Sequence, residues 1–239
     1  MRQATPDAPR LKLVLFDIDG TILWTSGAGR RAMEGALHES FGVTGSASYR
    51  YDGKTDLQII RESMREAGVS AATVEDGIER VMTSYVERLV AELASPRSEV
   101  LRYPGVLELL DELEARDDRV VGLLTGNLVE GATHKLRAVG VEPERFVLGA
   151  YGSDHEHRHE LPAIAVQRAR SLGLTVDGPQ VIIIGDTPAD IQCGRPIGAR
   201  AIGVATGYYS VDDLLAHQPA AVFADLSDTA AVMRAIDDA

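Results

Sequence analysis

Lys12-Leu13-Val14-Leu15-Phe16-Asp17-Ile18-Asp19-Gly20-Thr21 is the stretch from which the rest of the chain is read. The apolar run at 13–16 is short, rich in β-formers and closed by a turn signal, so it reads as a buried strand. Alternation along that strand puts Asp17 and Asp19 on one face, unless the chain has already begun to turn. Two carboxylates at the end of a buried strand are costly unless something positive lies between them. A divalent cation is the simplest such group. The plainer alternative is a solvated Asp-Gly turn after a strand. Function concentrates at strand ends of α/β sheets, which favours the first reading.

The remaining composition narrows the class. A chain of 239 residues accommodates one large domain, or a core with a second one inserted. At 45% hydrophobic and 25% charged it has the balance of an ordinary soluble globular protein. Asp and Glu outnumber Lys and Arg by 36 to 24, a net charge of −12, which argues against a nucleic-acid or anionic-membrane surface. Cys193 is the single cysteine, so no intrachain disulfide forms and a reducing, cytoplasmic setting is expected. Residues 1–10 lack the apolar segment of a signal peptide and read as a loose tail. No window has the apolar length of a membrane span.

From about 25 to 98 the pattern is helical. Stripes of apolar residues predict helices over 30–41, 55–67 and 72–94, the second capped by Thr55 with Gln58 three positions later. From Tyr103 strands and helices alternate. Strands are predicted over 119–124, 146–151, 180–184, 199–205 and 220–223, and helices over 106–116, 128–139, 160–172, 189–197 and 228–236. Such alternation means βαβ units around a parallel sheet covered on both faces. The expected organisation is an α/β catalytic core, residues 1–24 and 99–239, with a helical cap over 25–98.

Three predicted strands end in polar groups: Asp17 with Asp19, then Thr125-Gly126-Asn127, then Asp186 with Asp190. Each alone has a bland explanation. Thr-Gly-Asn suits a helix cap and a turn, and Asp186 suits the cap of a helix opening at Pro188. All three in one sheet are hard to explain as capping.

Together these segments resemble the haloacid dehalogenase superfamily of phosphohydrolases. Asp17-Ile18-Asp19-Gly20-Thr21 matches its Asp-x-Asp-Gly-Thr, Leu123-Leu124-Thr125 its second strand ending in Thr or Ser, and Gly185-Asp186-Thr187-Pro188-Ala189-Asp190 its Gly-Asp-Thr-x-x-Asp. The insert resembles the helical cap of the phosphoglycolate phosphatase and β-phosphoglucomutase branch. The resemblance implies an α/β, Rossmann-like parallel sheet with helices on both faces and an inserted all-helical cap. It implies a phosphatase acting on a small phosphorylated metabolite, with Asp17 as nucleophile and Asp19 as general acid and base. Magnesium would be held by Asp17, the main-chain carbonyl of Asp19, and Asp186, with Asp190 supporting it or holding a basic residue. Thr125, with main-chain N–H of Gly126 and Asn127, would bind phosphate. The implied protein is a monomer or homodimer with no nucleic-acid or membrane partner.

The family expects a Lys at the start of the helix after the third strand. Here Arg158 and His159 compete for that place, and Arg158 is preferred because it is always charged and can fork onto a carboxylate or phosphate. His155, His157 and His159 read as a solvated turn rather than a zinc site. Arg50, Lys54, Thr55 and Asp56 are the candidate specificity residues of the cap, although Thr55 and Asp56 equally suit a helix start. Trp24 is placed at the pocket mouth or under the cap, and Cys193 in the core. A sugar-phosphate mutase of the same branch would share every core residue, and a non-catalytic phospho-ligand sensor would keep the same constellation.

Overall fold

The computed structural model describes residues 11–239; the expected tail at 1–10 lies outside the described residues. The chain opens with β1 (Lys12–Phe16) and passes through the two-residue strand β2 (Leu23–Trp24) into three helices, α1 (Ala28–Phe41), α2 (Asp56–Glu66) and α3 (Ala71–Leu93). β3 (Leu101–Arg102) returns it to the sheet. There α4 (Val106–Glu114), β4 (Arg119–Leu124), α5 (Val129–Ala138), β5 (Leu148–Ala150), α6 (Leu161–Ser171), β6 (Val181–Gly185) and α7 (Pro188–Cys193) follow. β7 (Arg200–Val204), α8 (Val211–Leu215), β8 (Ala221–Phe223) and α9 (Thr229–Asp238) complete the chain.

The main sheet has the order β5-β4-β1-β6-β7-β8, and every pair is parallel. β1 lies in its middle: the chain runs outward on one side through β4 and β5, then crosses to β6, β7 and β8. Ligands of such sheets bind beyond the strand ends where the order reverses. Alternation along β1 divides the core. Val14 and Phe16 face Leu109 and Leu113 of α4, Leu136 of α5 and Ile236 of α9; Leu13 and Leu15 face Leu161 and Ala165 of α6. Each such fully buried Leu, Val or Phe contributes about 1.5–3 kcal/mol. That apolar drive, not the polar groups, brings the three strand ends side by side.

The helical insert has a core of its own, built from Met33, Leu37, Ile60, Met64, Val81, Tyr85 and Leu89. α2 begins at Thr55, whose hydroxyl accepts the Gln58 N–H at 3.1 Å, but the Gln58 side chain turns to Glu62 at 3.0 Å instead of closing a capping box. β2 and β3, absent from the expected elements, pair antiparallel as Leu23 with Arg102 and Trp24 with Leu101. Two-residue strands carry no periodicity, so this strap across the base of the insert is silent in sequence. The helix expected over 189–197 stops at Cys193, because Pro196 lacks the N–H that a continuing helix needs. α8 is likewise too short for a periodic pattern and is announced only by its Ser210–Asp213 capping box. Among the described residues no helix is long and apolar enough to cross a membrane.

Candidate active site

Beyond the carboxyl ends of β1, β4 and β6 lies a cavity of about 420 Å³ under the helical insert. Asp17, Asp19, Lys54, Thr125, Gly126, Asn127, Arg158 and Asp186 line it, as do Trp24, Arg50 and Asp56. The fold therefore brings together residues far apart along the chain, Asp17 and Asp186 among them.

β1 extends one further ladder bond, Asp17 N–H to the Ile184 carbonyl at 2.9 Å, which holds the Asp17 side chain against the end of β6. Asp17, Asp186 and Asp190 are all buried, and their oxygens come within 4.8 Å of one another. The positive group among them is Arg158, in the single turn that leads into α6. Its Nη2 lies 3.0 Å from Asp17 Oδ1 and also donates to Asp190 Oδ1. Burial disfavours the guanidinium charge, but Asp190 and Asp17 outweigh it and push Arg158 above its ordinary value. His159 points outward with a 58% exposed side chain, so Arg158 is the one of the two that reaches the acidic cluster. His155 and His157 are exposed with it; among the described residues the acidic triad is the group that could hold a metal.

Asp190 is fully engaged. One oxygen faces Arg158; the other accepts the Thr187 N–H at 3.0 Å and its hydroxyl at 2.6 Å, closing the capping box of α7. Thr187, not Asp186, thus caps that helix. Asp17 and Asp186 each keep one oxygen without a side-chain partner, the other facing Arg158 and Thr21 respectively. Burial, then the nearby Asp190 and Asp19 charges, raise Asp17 to about 6 against the pull of Arg158. Burial, then Asp190 and Asp17, raise Asp186 well above the ordinary carboxylate range. Three acids against one guanidinium leave the cluster short of positive charge, and a hard divalent cation on carboxylate oxygens fits that deficit.

Asp186 is held by what its neighbours lack. Thr21 donates to its Oδ1 at 3.2 Å, and a Cβ on Gly20 or Gly207 would stand 2.2 Å or 1.8 Å from its Oδ2. Gly207→Ala is expected to displace the Asp186 carboxylate. Divalent-cation binding, read by isothermal titration, should weaken at least about tenfold, with the far-UV spectrum unchanged. Unaltered cation affinity would show that Asp186 is not held by this contact.

The second strand end is equally closed. Thr125 is fully buried, and its Oγ1 accepts from the Asn127 amide at 2.7 Å and more weakly from the Asn127 N–H at 3.3 Å. A Cβ on Gly126 would lie 2.0 Å from the Lys54 carbonyl, so glycine is what lets the insert approach. The insert docks here through two hydrogen bonds: the Asp56 N–H donates to the Gly126 carbonyl at 2.7 Å, and the Leu128 N–H donates to the Asp56 carboxylate at 2.8 Å. Burial raises Asp56 to about 6 despite Lys135 and that hydrogen bond.

Thr55, expected at the substrate, is a correction. It is fully buried, its hydroxyl donates to the Glu156 carbonyl at 2.6 Å while capping α2, and it stands behind the cavity wall. Lys54 does line the cavity, with its ammonium held by Glu62 at 2.8 Å and the Tyr49 hydroxyl at 2.7 Å. Trp24 meets Tyr208 edge to face at the rim. Cys193 is buried and its thiol is pushed up to about 12, an unreactive core group.

One site residue had not been expected: Lys135 of α5, buried against Asp19. It occupies the apolar stripe Leu128, Ala132, Leu136, Val139, where a lysine is out of place. That was the available signal.

A family model described as haloacid dehalogenase-like hydrolase matches residues 14–195. The chain belongs to that family. It is 28% identical to an N-acetylmuramic acid 6-phosphate phosphatase of Pseudomonas aeruginosa, covering 90% of this chain and 91% of that one. It is 27% identical to a phosphoglycolate phosphatase of Rhodospirillum rubrum, covering 82% and 80%. The crystal structure of a hydrolase from Pseudomonas syringae shares the fold, with a TM-score of 0.69, 21% identity, and 93% and 98% coverage.

Proposed function

We propose that this protein is a magnesium-dependent phosphatase, working in the cytoplasm as a monomer or homodimer. It hydrolyses a small phosphorylated metabolite through an aspartyl-phosphate on Asp17. The observation that carries this reading is the clustering of buried Asp17, Asp186 and Asp190 at the strand ends beneath the cavity, with Arg158 paired to Asp17 and Asp190.

In this reading an Asp17 oxygen attacks phosphorus, the P–O bond to the substrate breaks, and Asp19 gives its proton to the leaving alkoxide. Asp19 then takes a proton from a water that attacks the same phosphorus, the acyl phosphate opens, and inorganic phosphate leaves with Asp17 restored. The Thr125 hydroxyl accepts two hydrogen bonds from Asn127, so its own proton is directed at a phosphate oxygen. The Gly126 N–H adds a second donor. Arg158 balances Asp17 and Asp190. Asp17, the main-chain carbonyl of Asp19, and Asp186 would hold magnesium, which supplies charge neutralisation at the transferring phosphoryl group. Lys54, Arg50 and Trp24 face the part of the substrate beyond the phosphate.

A panel of phosphorylated metabolites, assayed for phosphate release with and without magnesium, tests the proposal. Release that is indifferent to chelator and magnesium overturns it. The acidic cluster adds a pH signature. Asp17, raised to about 6, and Asp186, raised well above its ordinary value chiefly by burial, oppose folding of the metal-free protein increasingly as pH climbs and they ionise. A cation relieves that cost only where the carboxyls are ionised. Magnesium should therefore raise Tm more at pH 7.5 than at pH 5, read by differential scanning fluorimetry; equal shifts would contradict a carboxylate site.

A further inference from the structure

Lys135 is a buried charged group that the mechanism above leaves without a task. It is 4% exposed, on the second turn of α5, beneath Gly29 and Tyr85 of the insert. A Cβ on Gly29 would come 3.3 Å from its ammonium, so the roof is bare where the lysine sits. An ammonium has three donors. Here one reaches Asp19 Oδ1 at 2.8 Å, one Asp19 Oδ2 at 2.7 Å, and one Asn127 Oδ1 at 2.6 Å. None is left for a phosphate.

A group that is donor-only also sets the direction of everything bonded to it. Because Lys135 must donate, Asn127 must present its carbonyl oxygen there. Its NH₂ then faces Asp19 Oδ2 and Thr125 Oγ1, both at 2.7 Å. Asp19 lies past the end of β1, in a single bridge to Leu23 and next to the left-handed Gly20 (φ 83°), and its side chain is 43% exposed. That one bridge fixes its backbone and leaves the side chain to be oriented by its own partners. Lys135 and Asn127 orient it together.

We propose that Lys135 is a positioning residue: it aims the Asp19 carboxylate at the leaving oxygen and fixes the polarity of the Asn127 amide. This rests on the phosphatase reading, in which Asp19 moves the proton. With Met at 135, Asp19 keeps only Asn127, and the amide is free to flip and present its oxygen to Thr125.

The test uses two aryl phosphates that differ in how much their leaving group needs a proton. For Lys135→Met, kcat/KM on phenyl phosphate should fall about 100-fold, the low end of what a general acid supplies. On p-nitrophenyl phosphate, whose leaving group departs readily as an anion, it should fall less than about tenfold. In an Asp19→Asn background, Lys135→Met should cost nothing further on phenyl phosphate, since its effect runs through Asp19. Lys135→Gln, which keeps hydrogen bonding but not a donor-only contact, carries the same comparison should the Met variant lose its fold. Parallel losses on both substrates, or a full Lys135→Met effect without the Asp19 carboxylate, would overturn the role of Lys135 alone. A wild-type protein silent on both substrates would overturn the phosphatase reading and this proposal with it.

Discussion

Asp17→Asn should abolish phosphate release, by about 10⁴-fold or more in kcat, while leaving the fold intact. Removing a nucleophile that acts as one unit with its acid–base partner commonly costs losses on that scale. Asn is nearly isosteric with Asp, and an amide does not form the acyl phosphate. The stability effect has the opposite sign from the activity effect. In the metal-free protein the Asp17 carboxyl is raised from its ordinary value to about 6, burial being the largest cause. A group raised on folding contributes stability below its unfolded value that is lost as pH rises through its folded value. At pH 7.5 Asp17 is therefore a liability that Asn removes. Metal-free Asp17→Asn should melt higher than wild type at pH 7.5, and the advantage should shrink at pH 5. Phosphate release and thermal melts at the two pH values check both halves. Activity within tenfold of wild type would exclude Asp17 as the nucleophile.

Arg158→Ala should damage stability and catalysis together. Asp190 is fully buried and Asp17 nearly so, and both lean on the same Nη2. Removing one partner of a buried ionic cluster typically costs about 3–5 kcal/mol, because the remaining charges stay buried and unbalanced. For a chain of this size that is a Tm loss on the order of 10 °C. Arg158 is also the main influence that lowers Asp17, so without it Asp17 rises above about 6 and the acid limb of the rate profile moves to higher pH. Arg158→Lys retains the charge without the planar fork and should fall between wild type and Ala. His159→Ala is the contrast: its ring is exposed, and both melting temperature and rate should stay close to wild type. Urea unfolding and pH–rate curves for the three variants decide the matter. An unaltered Arg158→Ala, or an inactive His159→Ala, would reverse the assignment.

The strands, the parallel sheet and the three acidic or hydroxyl-bearing strand ends were legible along the chain. Their signals are local: continuous apolar runs such as 181–184, punctuated by Gly185-Asp186 or Thr125-Gly126, need no knowledge of what packs against them. Buried apolar area enforces that pattern wherever the segment lands, so Asp17, Thr125 and Asp186 could be named from sequence. The choice between Arg158 and His159 was different. Adjacent residues in one turn point opposite ways, and only the packing of that turn against α7 sends Arg158 inward. Thr55 looked like a ligand because hydroxyls at a helix start can face either side; its contact with the Glu156 carbonyl, 101 positions away, took it out of the cavity. Lys135 and the β2–β3 strap have the same origin. Charge partners and two-residue ladders are set by distant pieces of chain meeting in space. Local periodicity carries no record of such meetings, and tertiary packing alone decides them.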